Sequence, residues 1–514
     1  MRYIQRSTYY KGSSQTYCFT KTSQPTFLAS EMFLRTAKSL RNSKRLKNLF
    51  DVRALSTTTT HGRGSKSWRM ANSGYLLVGS TIVAASLLSE RFHEKPTFLE
   101  ADQRNEAEDE DEDDEVTTIL NWSGTHSVDV ANKNYYEPET TEELEHIVAK
   151  CHKDGRPLRP VGSALSPNAV SFNSGGMVSL ANLDRIIKID KENMTITVEA
   201  GARVSQVIDA LREHGLTLPN LASIAEQQMG GFVQIGAHGT GAKISPVDDF
   251  VTALKLVTPA RGKVELKPED GEMFHLAKVG LGCLGVVSEI TMSVVPSHRL
   301  LEHTYVLTRS QAKEQINTLL KKHKHIRYMW IPYQDAVVVV TNDPEDENSA
   351  TKVEETNKAR LGVDSFKPLR DLLKELSKDS KEPMTEEILE GKGFGELRDA
   401  LLAYKPLNGD HVKLVNQAEA EFWKESEGYQ IRPSDELLQF DCGGQQWVFE
   451  VCYPTGNYDA NSGHDMQFME ELLKQIENNK VPAHAPIEQR WSANSNSSMS
   501  PAYGRDGGLH CWVG

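Results

Sequence analysis

Cysteine is scarce in this sequence: six in 514 residues, with no C-x-x-C pair. That excludes a disulfide framework and a zinc ribbon, and no metal site is expected. There is no succession of long apolar runs, so the chain is not a polytopic membrane protein. Nor is it disordered throughout or collagen-like, because 38% of its residues are hydrophobic, 25% are charged and only 36 are glycine. The net charge of −13 leaves nucleic acid without a basic surface and excludes it as the main partner. What remains is a globular chain long enough for two to four domains at roughly 100–200 residues each.

Acidic residues are missing where the chain begins. Residues 1–69 carry fourteen Lys and Arg, among them Arg2, Arg35, Arg45 and Arg69, against only Glu31 and Asp51. An Arg- and Ser-rich stretch poor in acids has the composition of an organellar transit peptide; a basic disordered tail is the alternative. Residues 70–89 follow with no charge at all. Their length just spans a bilayer of about 30 Å, so they are either a single membrane anchor or part of a cleaved presequence. Residues 90–116 are expected to be an acidic linker, since nine of the ten residues from Glu106 to Glu115 are Asp or Glu.

Folded structure is expected from about residue 117. Thr140-Thr141-Glu142-Glu143 matches a capping box, and Leu144, Ile147, Val148 and Cys151 follow at helical spacing. Thr195–Ala200 alternates as a strand, and Val204, Val207, Ile208 and Leu211 mark a second helix. Strands and helices intersperse to about residue 297, an α+β pattern. Beyond it, helical periodicity over 311–322, 366–376, 396–404, 412–424 and 465–478 alternates with strands such as Ala336–Thr341 and Gln446–Tyr453. The sequence thus divides into domains at 117–297 and 298–514. Residues 343–395, rich in Lys, Glu, Asp and Ser, are expected to be an exposed insertion in the second.

Three glycine-bearing segments stand out in the first domain. Arg159-Pro160-Val161-Gly162-Ser163-Ala164-Leu165-Ser166 is either a plain turn or a nest of amide N–H groups for a phosphate, with the Ser163 and Ser166 hydroxyls as extra donors. Gly230 to Gly241 holds five glycines in twelve residues, which favours close approach of backbone to a flat or anionic ligand over a simple turn. Gly280-Leu281-Gly282-Cys283-Leu284-Gly285 is a literal G-x-G-x-x-G, but a helical pattern precedes it and a strand follows. A dinucleotide fingerprint needs the opposite order, so no Rossmann site is expected.

The order R-P-V-G-S, G-G…G-A-H-G-T-G and G-x-G-x-L-G-V-V-x-E resembles the FAD-binding domain of the vanillyl-alcohol oxidase superfamily. Asn121–His126, Ala222–Gln228, Phe440–Trp447 and Pro486–Trp491 are similar to its aldonolactone oxidoreductase branch, and the likeness runs from about residue 119 to 514. The resemblance implies a vanillyl-alcohol oxidase-type FAD-binding domain followed by a mixed α/β substrate domain. It further implies oxidation of L-galactono-1,4-lactone to L-ascorbate, with cytochrome c as acceptor, on the intermembrane-space side of the mitochondrial inner membrane. A dioxygen-using lactone oxidase is the alternative, and a catalytically impaired factor for complex I assembly is another.

Site residues follow from the same resemblance. The loop Arg159–Ser166 (Arg159, Pro160, Val161, Gly162, Ser163, Ala164, Leu165 and Ser166) would cradle the FAD pyrophosphate. Leu165 stands where relatives carry a flavin-linking His, so FAD is expected to be noncovalent. Gly230, Gly231, Gly236, His238, Gly239, Thr240 and Gly241 would line the flavin, with Gly285 and Val287 beside it. Ala222 matches a gate position at which the methyl group obstructs dioxygen. Ala164 replaces a usual Gly, which is unfavourable if the position needs φ > 0. Glu488 and Arg490, at i and i+2, share one face if they lie on a strand. Without the resemblance they would be an ordinary surface pair; with it, Glu488 would accept or orient the substrate proton. Arg490 would bind lactone oxygens and offset charge on reduced flavin. Cys442 is either a pocket thiol or a buried structural cysteine. Asn121-Trp122-Ser123 is a glycosylation sequon that a mitochondrial protein would not have filled. The resemblance also implies that the family's C-terminal His-Trp-Ala-Lys segment is absent from these 514 residues.

Overall fold

The computed structural model describes residues 115–380, 382–439, 447–504 and 507–514. The basic region 1–69, the uncharged segment 70–89, the linker up to residue 114 and Cys442 lie outside the described residues. Among the described residues, no helix is long and apolar enough to cross a membrane.

Thr140 caps the helix Thr141–Lys153 by accepting the Glu143 N–H at 3.2 Å. The Glu143 carboxylate reaches back to the Glu139 N–H, one residue before the cap. Leu144, Val148 and Cys151 face inward, as the spacing required. The helix Val204–Arg212 buries Val204, Val207, Ile208 and Leu211. Both cover an antiparallel sheet ordered Gly262–Leu266, Val251–Thr258, Val286–Ser293, Thr195–Glu199, Ile186–Asp190. Beside it, Tyr135–Tyr136, Met177–Ser179 and Arg159–Val161 pair in parallel, which places the loop after Val161 at a sheet end.

The second sheet runs Gly428–Pro433, Arg299–Leu307, Val337–Pro344, His325–Trp330, Ile487–Ala493, Gly508–Val513, Val451–Asn457, all antiparallel. The run Val337–Val340 is buried throughout because its side chains enter two different cores. Val337 and Val339 pack with Ile316 and Leu320 of the helix Arg309–Lys322 and Met469 and Leu473 of the helix His464–Asn478. Val338 and Val340 pack with Ala420 of the helix Gly409–Glu425.

Two expectations need refinement. Residues 343–395 are mostly exposed, but they also build a core of their own. The helices Ser349–Ala359, Lys367–Ser377 and Glu386–Leu389 fold there, and Leu369, Leu373 and Leu389 join Leu397, Leu401, Val415 and Phe422 in a separate core. The strand placed at Gln446–Tyr453 begins only at Val451. Trp447 and Phe449 continue the alternation in sequence but stand 68% and 72% exposed and pair with nothing regular.

Leu369→Ala distinguishes a true core from an appendage. It should cost about 2–5 kcal/mol in chemical denaturation, as for a fully buried leucine, where an exposed position would change stability by less than about 0.5 kcal/mol.

Candidate functional site

The three glycine segments meet at one open cleft. Its lining includes Arg159 to Ser166, Gly230, Gly231, Gly282, Gly285 and Val287, with Leu180, Ala200 and Phe232 as apolar wall. Among the described residues, the amide N–H groups of Ser163, Ala164, Leu165 and Ser166 donate to no protein acceptor. Four consecutive donors without a protein acceptor thus lie in a loop that follows Gly162. Ala164 adopts φ 51°, the left-handed conformation that glycine would accept without strain.

The loop is held by its neighbours. Trp122 N–H donates to Ala164 O at 3.0 Å, and Asn121 Nδ2 lies 3.1 Å from Ser166 O. Asn121 is buried, so the sequon is structural. Arg159 donates to Leu281 O at 2.8 Å and to Val170 O, which fastens the first segment to the third. The Ser163 hydroxyl donates to Glu226 O at 2.7 Å. That corrects the expectation that it serves a phosphate, because its one proton is already engaged. The G-x-G-x-x-G segment lies between the helix Glu272–Lys278 and the strand Val286–Ser293, so no helix N-terminus faces a ligand there.

The second glycine segment divides. Gly230 and Gly231 lie in the short helix Met229–Gln234 at the cleft wall. Gly236, His238, Gly239, Thr240 and Gly241 are absent from that lining and meet protein instead. A Cβ on Gly239 would lie 2.3 Å from Leu221 O, and Gly241 donates to Trp491 O at 2.8 Å. Thr240 O lies 2.8 Å from His325 Nδ1. At Gly239 the missing side chain lets the backbone pass close to Leu221 and Asn220.

Glu488 and Arg490 do share a face of the strand Ile487–Ala493, with Arg490 Nε 3.3 Å from Glu488 Oε2. Gln489 and Trp491 point the other way, into the core. Arg490 Nη1 lies 3.4 Å from the Ser223 hydroxyl, which brings the neighbouring Ala222 to the same region. Glu488 Oε1 is buried without a hydrogen-bond partner, and Arg327 Nη1 stands 4.0 Å from it.

Glu450, His238 and Trp512 complete the cluster. Arg490 Nη2 donates to Glu450 Oε1 at 2.9 Å, and His238 Nε2 lies 3.2 Å from both Glu450 oxygens. The His238 ring stacks on Trp512 at 3.6 Å. Burial alone would raise the Glu450 carboxyl, but the charges of His238 and Arg490 outweigh it and hold the pKa down at about 2. Nothing in the sequence marks Glu450: its partners are 40 and 212 residues away.

A carboxyl whose folded pKa is depressed contributes stability above its ordinary value near 4.5, and loses it as pH falls toward 2. Glu450→Gln removes that titration. Its stability should therefore fall less steeply than the parent's between about pH 5 and 2 in denaturant titrations; parallel curves would contradict the assignment.

Comparison with known proteins agrees with this geometry. A family profile described as "FAD binding domain" matches residues 133–266, and one described as "D-arabinono-1,4-lactone oxidase" matches residues 290–514. L-galactono-1,4-lactone dehydrogenase of Arabidopsis thaliana is 48% identical over 416 residues, which are 78% of this chain and 67% of that protein. One of the rice enzymes of that name is 46% identical, over 78% of this chain and 69% of its own. L-gulonolactone oxidase of Bos taurus is 31% identical over 43% of this chain and 50% of its own. Among solved structures, cholesterol oxidase from B. sterolicum superposes with a TM-score of 0.58 at 14% identity, over 77% of this chain and 79% of its own, which shows the fold alone. With a vanillyl-alcohol oxidase-type FAD-binding domain followed by a mixed α/β domain, the chain belongs to the L-galactono-1,4-lactone dehydrogenase family of flavin-dependent aldonolactone oxidoreductases.

Proposed function

We propose that the chain oxidises L-galactono-1,4-lactone to L-ascorbate and passes the electrons to cytochrome c, in mitochondria. The observation that carries this reading is the meeting of Glu488 and Arg490 on one strand face, next to the loop of Ala222 and Ser223. Relatives that are 46–48% identical over 78% of this chain are named mitochondrial galactonolactone dehydrogenases.

The cleft residues suit FAD. The free amides of Ser163 to Ser166 would take its pyrophosphate, and Gly230, Gly231 and Val287 leave a low wall for the rest. With Leu165 in place of a linking His, the cofactor is held without a covalent bond. FAD held by these residues would supply the hydride acceptor for the substrate carbon. Glu488 takes the hydroxyl proton at its unpartnered Oε1. Arg490 holds the lactone oxygens with charge-assisted hydrogen bonds. The Ala222 methyl obstructs dioxygen, which favours a protein acceptor over an oxidase reaction. The excess of acid over base beyond residue 69 suits a basic partner such as cytochrome c.

Three outcomes test this. The purified chain should carry yellow FAD that acid releases, and should reduce cytochrome c with L-galactono-1,4-lactone; peroxide formation instead would make it an oxidase. Glu488→Gln should lower kcat by about a hundredfold or more through loss of the base, and Arg490→Ala should raise KM by about tenfold through loss of charged hydrogen bonds. Unchanged kinetics in both would remove them from the site. Ala164→Val forces a branched side chain into φ > 0, a strain of about 1–3 kcal/mol, and should weaken FAD binding about tenfold or more. Ala164→Gly should retain the cofactor at least as well.

A further inference from the structure

We infer that Glu450 is a positioning residue, the carboxylate that fixes the orientation of Arg490 through a second nitrogen beside the one facing Glu488 and ties it to the flavin-binding domain. The inference rests on the functional reading above, in which Arg490 holds the lactone.

The geometry assigns three nitrogens of the guanidinium to three anchors. Nε faces Glu488 Oε2 at 3.3 Å, Nη1 faces the Ser223 hydroxyl at 3.4 Å, and Nη2 donates to Glu450 Oε1 at 2.9 Å. The last is the shortest. A planar guanidinium bound at one edge can still swing about its long stem, whereas anchors on separate nitrogens fix both its plane and its rotation. Glu488 cannot be a passive anchor as well as the proton acceptor without shifting as its charge changes. Glu450 is free of that duty and stays ionised, so it can hold Arg490 while Glu488 reacts.

Glu450 is itself held. His238 faces both of its oxygens, and the ring is clamped against Trp512 at an interplanar angle of 13°. Trp512 lies opposite Arg490 in the strand register and donates its Nε1–H to the Ser492 hydroxyl at 2.8 Å. His238 comes from the first domain, and Glu450, Arg490 and Trp512 from the second. The contact therefore transmits the position of the flavin domain to the lactone-binding side chain. A two-thirds-buried carboxylate would be costly here without such partners.

The test is a double-mutant cycle on the FAD-loaded full chain, with Glu450→Gln and Arg490→Ala singly and together. One readout needs no turnover: the calorimetric Kd of a 1,4-lactone of the same stereochemistry that lacks the oxidised hydroxyl. The other is steady-state kinetics with L-galactono-1,4-lactone. Flavin content and thermal midpoint verify that each variant is folded. If Glu450 acts through Arg490, Glu450→Gln should raise Kd and KM about tenfold with Arg490 present and less than about twofold in Arg490→Ala, since coupled residues do not add. The change in kcat should stay below about threefold, because the group removed does not react. Glu450→Asp, which keeps the charge, should fall between parent and Gln. Equal losses in both backgrounds, or no loss in either, would overturn the proposal while wild-type lactone oxidation still supported the functional reading. A wild type that neither binds nor oxidises lactone would overturn both.

Discussion

Everything proposed for this chain depends on a short backbone junction between its two sheets. Gly241 donates its N–H to Trp491 O, and Ala493 donates to Ile244 O at 3.0 Å, so the segment after the flavin-side glycines pairs with the strand that carries Glu488 and Arg490. A side chain at 241 would meet Ile244 at 2.7 Å and Lys324 O at 3.0 Å, and its φ of 131° is one that few L residues adopt. The register set there carries Arg490 to Ser223 and His238 to Glu450. Without it the glycine-lined cleft and the strand of Glu488 and Arg490 would be two unrelated features.

A buried polar latch supports the junction. Asp248 accepts from the Ser495 and Ser497 hydroxyls at 2.6 Å, and burial raises its pKa despite those bonds. Lys278, almost wholly buried, reaches Asp249 at 3.0 Å. Such groups add little net stability over an apolar contact, but mispairing would leave charges buried without partners.

Much of this was legible in the sequence because it is local. Helix spacing fixed which residues of 141–153 and 204–212 face inward, and the order of elements around Gly280 excluded a Rossmann turn. The strain at Ala164 was foreseeable only through the resemblance, which implies a glycine at that position. The failures share one cause. Glycines at 239 and 241 announce close approach but not what approaches, and here it includes the chain's own Leu221, Ile244 and Lys324. In 343–395 the abundance of Lys and Glu masked leucines whose partners, such as Phe422, lie far along the chain. Glu450 was invisible because each of its partners comes from a different segment, 40 or more residues distant.

The central claim is that cofactor cleft and Glu488–Arg490 strand form one site. It is tested most directly by mixing the FAD-loaded chain with L-galactono-1,4-lactone under anaerobic conditions, without any electron acceptor, and following the visible absorbance of oxidised flavin. The account predicts a saturable, single-exponential bleaching that Glu488→Gln slows and that cytochrome c reverses. Bound flavin whose absorbance is unaffected by the lactone would contradict it.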